Sequence, residues 1–118
     1  MGLGKCPEKM EFMYVIKDIY RTIHTIENQL RNKYSLSFNE ILLLHYLGYE
    51  EELSCKEIKK LLNIKSSNIS KLIRTIEHKM IIVRMEDKKD KRLKYFALTR
   101  KGRELLMLIR NDYENISY

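Results

Sequence analysis

The sequence is poor in the residues that define several classes of protein. It has two cysteines, one proline, four glycines and no tryptophan among 118 residues. So few cysteines exclude a disulfide-stapled scaffold, and so little proline and glycine exclude a collagen-like or low-complexity chain. No apolar run approaches the roughly 18 residues of a membrane span, and the N-terminus lacks the apolar stretch of a secretory signal. We therefore expect one cytoplasmic domain over residues 1–118, without membrane contact.

Residues that carry catalytic or metal chemistry form no recognised pattern. The three histidines fall on three different predicted helices without metal-ligand spacing, and no nucleophile or phosphate-loop motif is present. We expect neither an enzyme nor a bound metal or other cofactor. Cys6 and Cys55 are expected to be reduced thiols. A redox-sensing role is the minor alternative, and Cys55 suits it better because the first turn of a helix favours a thiolate.

Positive charge is concentrated in the middle of the chain. Residues 54–103 carry sixteen Lys and Arg against five Asp and Glu, a net charge of +11, whereas the whole chain carries +7. The segments before and after are mildly acidic. Neutralising phosphates and releasing their counterions is the main source of affinity for nucleic acid, so this distribution indicates a polyanion-binding surface. A solvated charged face is the alternative that composition alone leaves open.

Hydrophobic periodicity predicts four or five helices and one hairpin. Apolar residues at three- and four-residue steps predict a first helix over about residues 9–33 and a last helix over about residues 99–116. A second helix is expected to end just before Gly48, which would be the residue that closes it. Ser54 and Glu57 have the spacing of a capping box, so a short third helix is expected to follow Ser54.

The fourth predicted helix has one apolar face and one basic face. Ile69, Leu72, Ile73 and Ile76 recur at the spacing of a buried stripe. The opposite side is polar and free of carboxylates, and its candidate DNA-binding residues are Ser66, Ser67, Asn68, Ser70, Lys71 and Arg74. An α-helix fits the major groove, where Asn, Lys and Arg contact base edges or phosphates. We expect Lys71 and Arg74 to contribute most.

A charged hairpin is predicted directly after this helix. Two short runs rich in β-branched and aromatic residues predict strands within residues 81–98, joined by a long charged loop. The candidate DNA-binding residues here are Arg84, Lys88, Lys89, Lys91 and Arg92. An arginine at a hairpin tip suits a narrow minor groove, and Asp90 is placed to orient Arg92. A helix-turn-helix over about residues 54–80 followed by this wing predicts a mainly α winged helix-turn-helix fold.

Several segments resemble one family. They are Leu61-Leu62-Asn63-Ile64, the run from Ser70 to Glu77, Asp90-Lys91-Arg92, and Leu98-Thr99-Arg100-Lys101-Gly102. In these segments the chain is similar to the MarR/SarA family of winged helix-turn-helix transcriptional regulators. The resemblance implies a homodimer whose terminal helices form the interface, whose two wings straddle one duplex, and which most often represses transcription. Two residues depart from the family pattern: Met80 stands where Gly is common, and Lys65 stands where a capping Ser or Asp is usual.

Double-stranded DNA and a second copy of the chain are therefore the predicted partners. The main alternative is a protein-interaction module of the same fold, whose basic segment meets an acidic protein. Structured RNA ranks last because the sequence has no RNA-specific motif. Leu43, Tyr46 and Leu47 fit either the core or the wall of a small-molecule pocket between two copies, and the sequence does not separate the two.

Overall fold

The computed structural model describes residues 10–114, which form five α-helices and three β-strands. Cys6, residue 9 of the first predicted helix and residues 115–116 of the last lie outside the described residues. The chain divides into two compact units, one ending at Ser37 and the other beginning at Phe38. Within residues 10–114, no helix combines the length and apolar character needed to cross a membrane.

The first unit contains one long helix, α1 (Glu11–Tyr34). Ser35 ends it in the left-handed conformation, with a φ of 58°, and its N–H donates to the carbonyl of Arg31 at 2.9 Å. Five apolar side chains at three- and four-residue steps share one face of α1 and are exposed. This apolar stripe consists of Phe12, Ile16, Ile19, Ile23 and Ile26.

The second unit contains the helix-turn-helix and the wing. Its elements are α2 (Phe38–Glu50), β1 (Glu52–Ser54), α3 (Cys55–Leu62), α4 (Ser66–His78), β2 (Ile82–Glu86), β3 (Lys94–Leu98) and α5 (Arg100–Glu114). The order of these elements is that of the predicted winged helix-turn-helix fold, in which α3 and α4 are followed by the β2–β3 hairpin. The core of this unit is aliphatic, with Leu43, Leu44, Ile58, Ile69 and Ile76 at 0–1% exposure.

The sheet has one strand more than the sequence analysis expected. The three antiparallel strands are ordered β1-β3-β2, so β3 pairs on both edges. β1 is only three residues long and begins with Glu52, so its own residues do not indicate a strand. Its pairing partner, Ala97, is 45 positions away along the chain, so no local pattern could reveal the strand.

Helix ends follow the predicted chemistry at α3 but not at α2. Ser54 forms the expected capping box, in which its Oγ accepts from the N–H of Glu57 at 3.1 Å and its own N–H donates to the Glu57 carboxylate. This contact lowers the pKa of Glu57, mainly through the backbone N–H of Ser54. The prediction that Gly48 closes α2 is wrong. The helix continues to Glu50, and Glu51 takes the left-handed conformation with a φ of 67°.

The turn after α4 keeps its geometry although it lacks glycine. Met80 adopts a φ of 64°, and its N–H donates to the carbonyl of Glu77, while the N–H of Ile81 donates to that of Ile76 at 3.1 Å. These two bonds form a Schellman motif, which glycine usually completes. The side chain of Met80 is 68% exposed and meets no obstacle there, so the departure at this position leaves the turn intact.

Candidate nucleic-acid interface

The predicted DNA-binding residues of α4 form one exposed surface. Ile69, Ile73 and Ile76 are buried, which turns the opposite side of the helix to solvent. Ser66, Ser67, Asn68, Ser70, Lys71 and Arg74 are all exposed there, and we call this surface the recognition face. It contains no carboxylate, so nothing on it opposes contact with a phosphate backbone.

The N-terminal end of α4 is built from backbone rather than side-chain contacts. Lys65 stands at the cap position and its side chain makes no capping bond, but its carbonyl accepts from the N–H groups of Asn68 and Ile69 at 3.0 Å. The helix therefore begins at Ser66 without a capping Ser or Asp. The Ser70 hydroxyl donates to the carbonyl of Ser66 at 3.2 Å, so this hydroxyl is partly engaged within its own helix.

The loop of the wing is held in shape by its own hydrogen bonds. We call residues 87–93 the wing tip. The N–H of Asp87 donates to the carbonyl of Leu93 at 3.1 Å, and the N–H of Leu93 donates to the carbonyl of Asp90 at 3.0 Å. The N–H of Lys89 donates to the Asp87 carboxylate at 3.1 Å. Since the loop is closed in this way, its exposed cations, Lys88, Lys89, Lys91 and Arg92, are carried on a defined turn.

Asp90 contacts Arg92 as the sequence spacing suggested. One carboxylate oxygen accepts from the backbone N–H of Arg92 at 3.0 Å and from its Nε at 3.1 Å, and the other accepts from the guanidinium at 3.3 Å. The Arg92 side chain remains 91% exposed, so its guanidinium is oriented and still available to a ligand. The Arg92 side chain, followed by its N–H, holds the pKa of Asp90 below its ordinary value.

The Asp90–Arg92 contact is expected to persist at neutral pH and to fail only in acid. The pKa of Asp90 is lowered in the folded protein. The contact with Arg92 therefore stabilises the fold at pH values above the ordinary pKa of Asp90, and this stabilisation is lost as the pH falls through the lowered pKa. Replacing Arg92 with Ala is expected to raise the Asp90 pKa toward its ordinary value. A carboxyl-carbon NMR titration measures this, with Lys91→Ala as the control for lost charge. Equal titration of Asp90 in the wild type and in Arg92→Ala would contradict the assignment.

Arg84 differs from the other candidate cations because it contacts the protein. It lies on β2, and its guanidinium donates to the carboxylate of Glu77 on α4 at 2.9 Å. The same guanidinium lies 5.3 Å from the ring centre of Phe96 on β3. Arg84 therefore joins α4 to the sheet of the wing.

Three lysines on α3 were not singled out by the sequence analysis. Lys56, Lys59 and Lys60 are exposed and line a shallow groove of about 400 Å³ with Asn63 and Ile64. They lie on the side of α3 opposite to the buried Ile58 and Leu62. Their positive charges are part of the +11 of residues 54–103. The helical periodicity of residues 55–62 is the sequence signal that could have grouped them on one side of a helix.

The remaining candidate residues have simple surroundings. Cys55 is an exposed free thiol at the first position of α3. No cluster of three His, Cys, Asp or Glu side chains suited to a metal ion occurs in the described part of the chain. Leu43 and Leu47 are both buried in the core, and Leu47 also lines a cavity of about 430 Å³ between α2, β3 and α5, together with Arg103 and Arg110.

A three-helix core with a two-stranded wing after its last helix defines the winged helix-turn-helix class. The model of one family, transcriptional regulator SarA/Rot, matches residues 25–109 of this chain. The chain belongs to the SarA/Rot family of transcriptional regulators. This is a family of regulators and not of enzymes, and its assignment confirms the resemblance noted from the sequence.

Proteins of known sequence or structure resemble the chain in sequence or in fold. An uncharacterized HTH-type transcriptional regulator of Bacillus subtilis, YdgJ, is 26% identical over 109 residues, covering 92% of this chain but only 65% of that protein. The regulator BldR of Sulfolobus solfataricus is 27% identical with a TM-score of 0.74, over 92% of this chain and 78% of that one. The S. aureus MepR–DNA complex gives a TM-score of 0.72 at 24% identity, over 87% of this chain and 85% of MepR.

Proposed function

We propose that this protein binds double-stranded DNA site-specifically as a homodimer and represses transcription by occupying its site. In each subunit the recognition face of α4 enters the major groove and the wing tip enters the adjacent minor groove. The observation that carries the proposal is the pairing of a carboxylate-free recognition face with a wing tip whose arginine is oriented and 91% exposed. MepR has been crystallised in complex with DNA and has the same fold, which adds support.

Each surface matches a distinct feature of DNA. Asn68, Lys71 and Arg74 are the side chains of the recognition face that can form bidentate hydrogen bonds with base edges. Arg92 suits the enhanced negative potential of a narrow minor groove, and Lys88, Lys89 and Lys91 suit phosphates. Lys59 and Lys60 add cations on α3, the helix that crosses the backbone in helix-turn-helix complexes.

The homodimer is supported by apolar surface that a single chain leaves exposed. The apolar stripe of α1 is exposed along its whole length, and Ile19 alone is 53% exposed. On α5, the side chains of Met107, Leu108 and Tyr113 are also exposed. An apolar face as long as the α1 stripe is rarely left exposed on a monomeric protein and marks an interface. A second copy of the chain is the proposed occupant, because two-fold symmetry would pair two recognition helices with one DNA site.

Selection of fragmented genomic DNA on the purified protein, at near-physiological salt and with sequencing of the retained fragments, tests the proposal. We expect an enriched pseudo-palindrome whose half-sites lie about 34 Å apart, one helical turn of DNA. Retention without enrichment would contradict site specificity. No retention would favour the protein-interaction module, in which the same basic surfaces meet an acidic protein.

Arg74 and Arg92 are expected to contribute differently. Truncating Arg74 to Ala should weaken binding to the selected site by about 1–3 kcal/mol and relax its sequence preference, because base-edge contacts carry specificity. Truncating Arg92 to Ala should weaken binding to all sequences and reduce the salt slope, because phosphate-region contacts are largely electrostatic. Fluorescence anisotropy at several salt concentrations measures both effects, and Arg31→Ala on α1 controls for lost charge. Equal losses at selected and random sites for both variants would refute this division.

A further inference from the structure

Arg84 is held by three elements of the fold at once. It lies on β2, its guanidinium donates to Glu77 on α4 at 2.9 Å, and it lies 5.3 Å from the ring of Phe96 on β3. Phe96 is the residue directly opposite Arg84 in the register of β2 and β3, and it is 3% exposed. Arg84 therefore lies against the buried ring of Phe96 while its guanidinium is bound to Glu77 of α4.

Glu77 gives this contact an electrostatic role. It is the one carboxylate in the sequence of α4, and its side chain is 26% exposed. A negative charge on the helix that approaches DNA would repel phosphates unless a cation neutralised it. Arg84 supplies that cation from the wing, so its charge is used within the protein.

We propose that Arg84 is a positioning residue which couples the wing to the recognition helix, rather than a direct contact to DNA. This inference rests on the proposed function. The Glu77–Arg84 pair joins the major-groove element and the minor-groove element into one unit, so that both meet the duplex in a fixed relation. Specificity then depends on Arg84 although it reads no base.

The two roles of Arg84 predict opposite behaviour for Glu77. If the pair positions the wing, Glu77→Gln and Arg84→Gln should each lower the ratio of specific to random affinity by about tenfold, and the double variant should be no worse than either. If Arg84 contacts a phosphate, Glu77→Gln should tighten binding because it frees the arginine. Arg84→Gln should then reduce the salt slope by about 0.9, the value of one phosphate contact.

Hydrogen exchange without DNA provides an independent measurement. We expect both single variants to speed amide exchange in β2 and β3 by at least about threefold, because the wing loses its tie to α4. Lys94→Gln is the matched control: it removes a wing cation that pairs with Glu86 at 2.7 Å, within the hairpin itself. It should leave the specificity ratio unchanged.

The possible outcomes distinguish a failure of this inference from a failure of the proposed function. Unchanged exchange in both single variants of a chain that binds DNA would overturn the coupling alone. Tighter binding by Glu77→Gln with a reduced salt slope for Arg84→Gln would overturn it in favour of a phosphate contact. A wild-type chain that retains no DNA would remove the proposed function and, with it, the positioning role of Arg84.

Discussion

Replacing both Ile19 and Ile23 with Asp is expected to convert the proposed dimer into a monomer. Both side chains lie in the apolar stripe of α1, and they are 53% and 48% exposed. Against a second copy, two buried carboxylates per chain would be desolvated without partners, a cost of several kcal/mol for each ion. The mass in solution should fall from about twice the 14.3 kDa of one chain to that of a single chain. Light scattering or sedimentation measures the change.

The same double variant should also bind DNA much more weakly. When two linked half-sites are bound, the second binding event is intramolecular, and losing that linkage costs about 10²–10⁴ in apparent affinity. The control is Asn28→Asp, which adds a carboxylate to the polar side of the same helix and should leave both mass and affinity unchanged. A wild-type chain that is monomeric at micromolar concentration, or a double variant that stays dimeric, would contradict the proposed interface.

The recognition face could be predicted from the sequence because its signal is local. Apolar residues in the buried stripe of α4 recur with helical spacing, so the opposite side follows from geometry alone. The capping box at Ser54 is equally local, since both partners lie within one turn. The Asp90–Arg92 contact also spans only two residues. Contacts between residues so close along the chain can be predicted from a single sequence.

Features that depend on distant parts of the chain could not be predicted. β1 is a strand only because residues 52–54 pair with β3, and nothing in those three residues favours it. The engagement of Arg84 with Glu77 depends on how β2 packs beside α4, so no sequence pattern distinguishes Arg84 from the other wing cations. The exposure of the apolar stripe of α1 is likewise a property of the fold. Periodicity shows that a helix has an apolar face but not what covers it.

Gly102 provides a stringent test of the fold, and replacing it with Ala is expected to destabilise the protein by about 1–3 kcal/mol through overpacking. By helix propensity alone, a glycine in the first turn of α5 would only weaken that helix. The structure gives the opposite role, because a Cβ at this position would overlap the backbone carbonyl oxygen of Ile81. That oxygen accepts from the N–H and the hydroxyl of Thr99, both at 3.0 Å. These bonds tie Ile81, just before β2, to Thr99, just before α5.

The backbone overlap at Gly102 can be relieved only by moving α5 away from the turn that follows the recognition helix. Such a movement would disturb the packing of Leu106 and Ile109, whose side chains are buried. Gly48→Ala is the matched control: its Cβ would meet Cδ2 of Leu106, the end of a side chain that can adjust, and alanine favours a helix interior by about 1 kcal/mol. Thermal unfolding should show Tm lowered by about 5–15 °C for Gly102→Ala and nearly unchanged for Gly48→Ala. Equal stability of the two variants would mean that α5 is not held against Ile81 as closely as the contact requires.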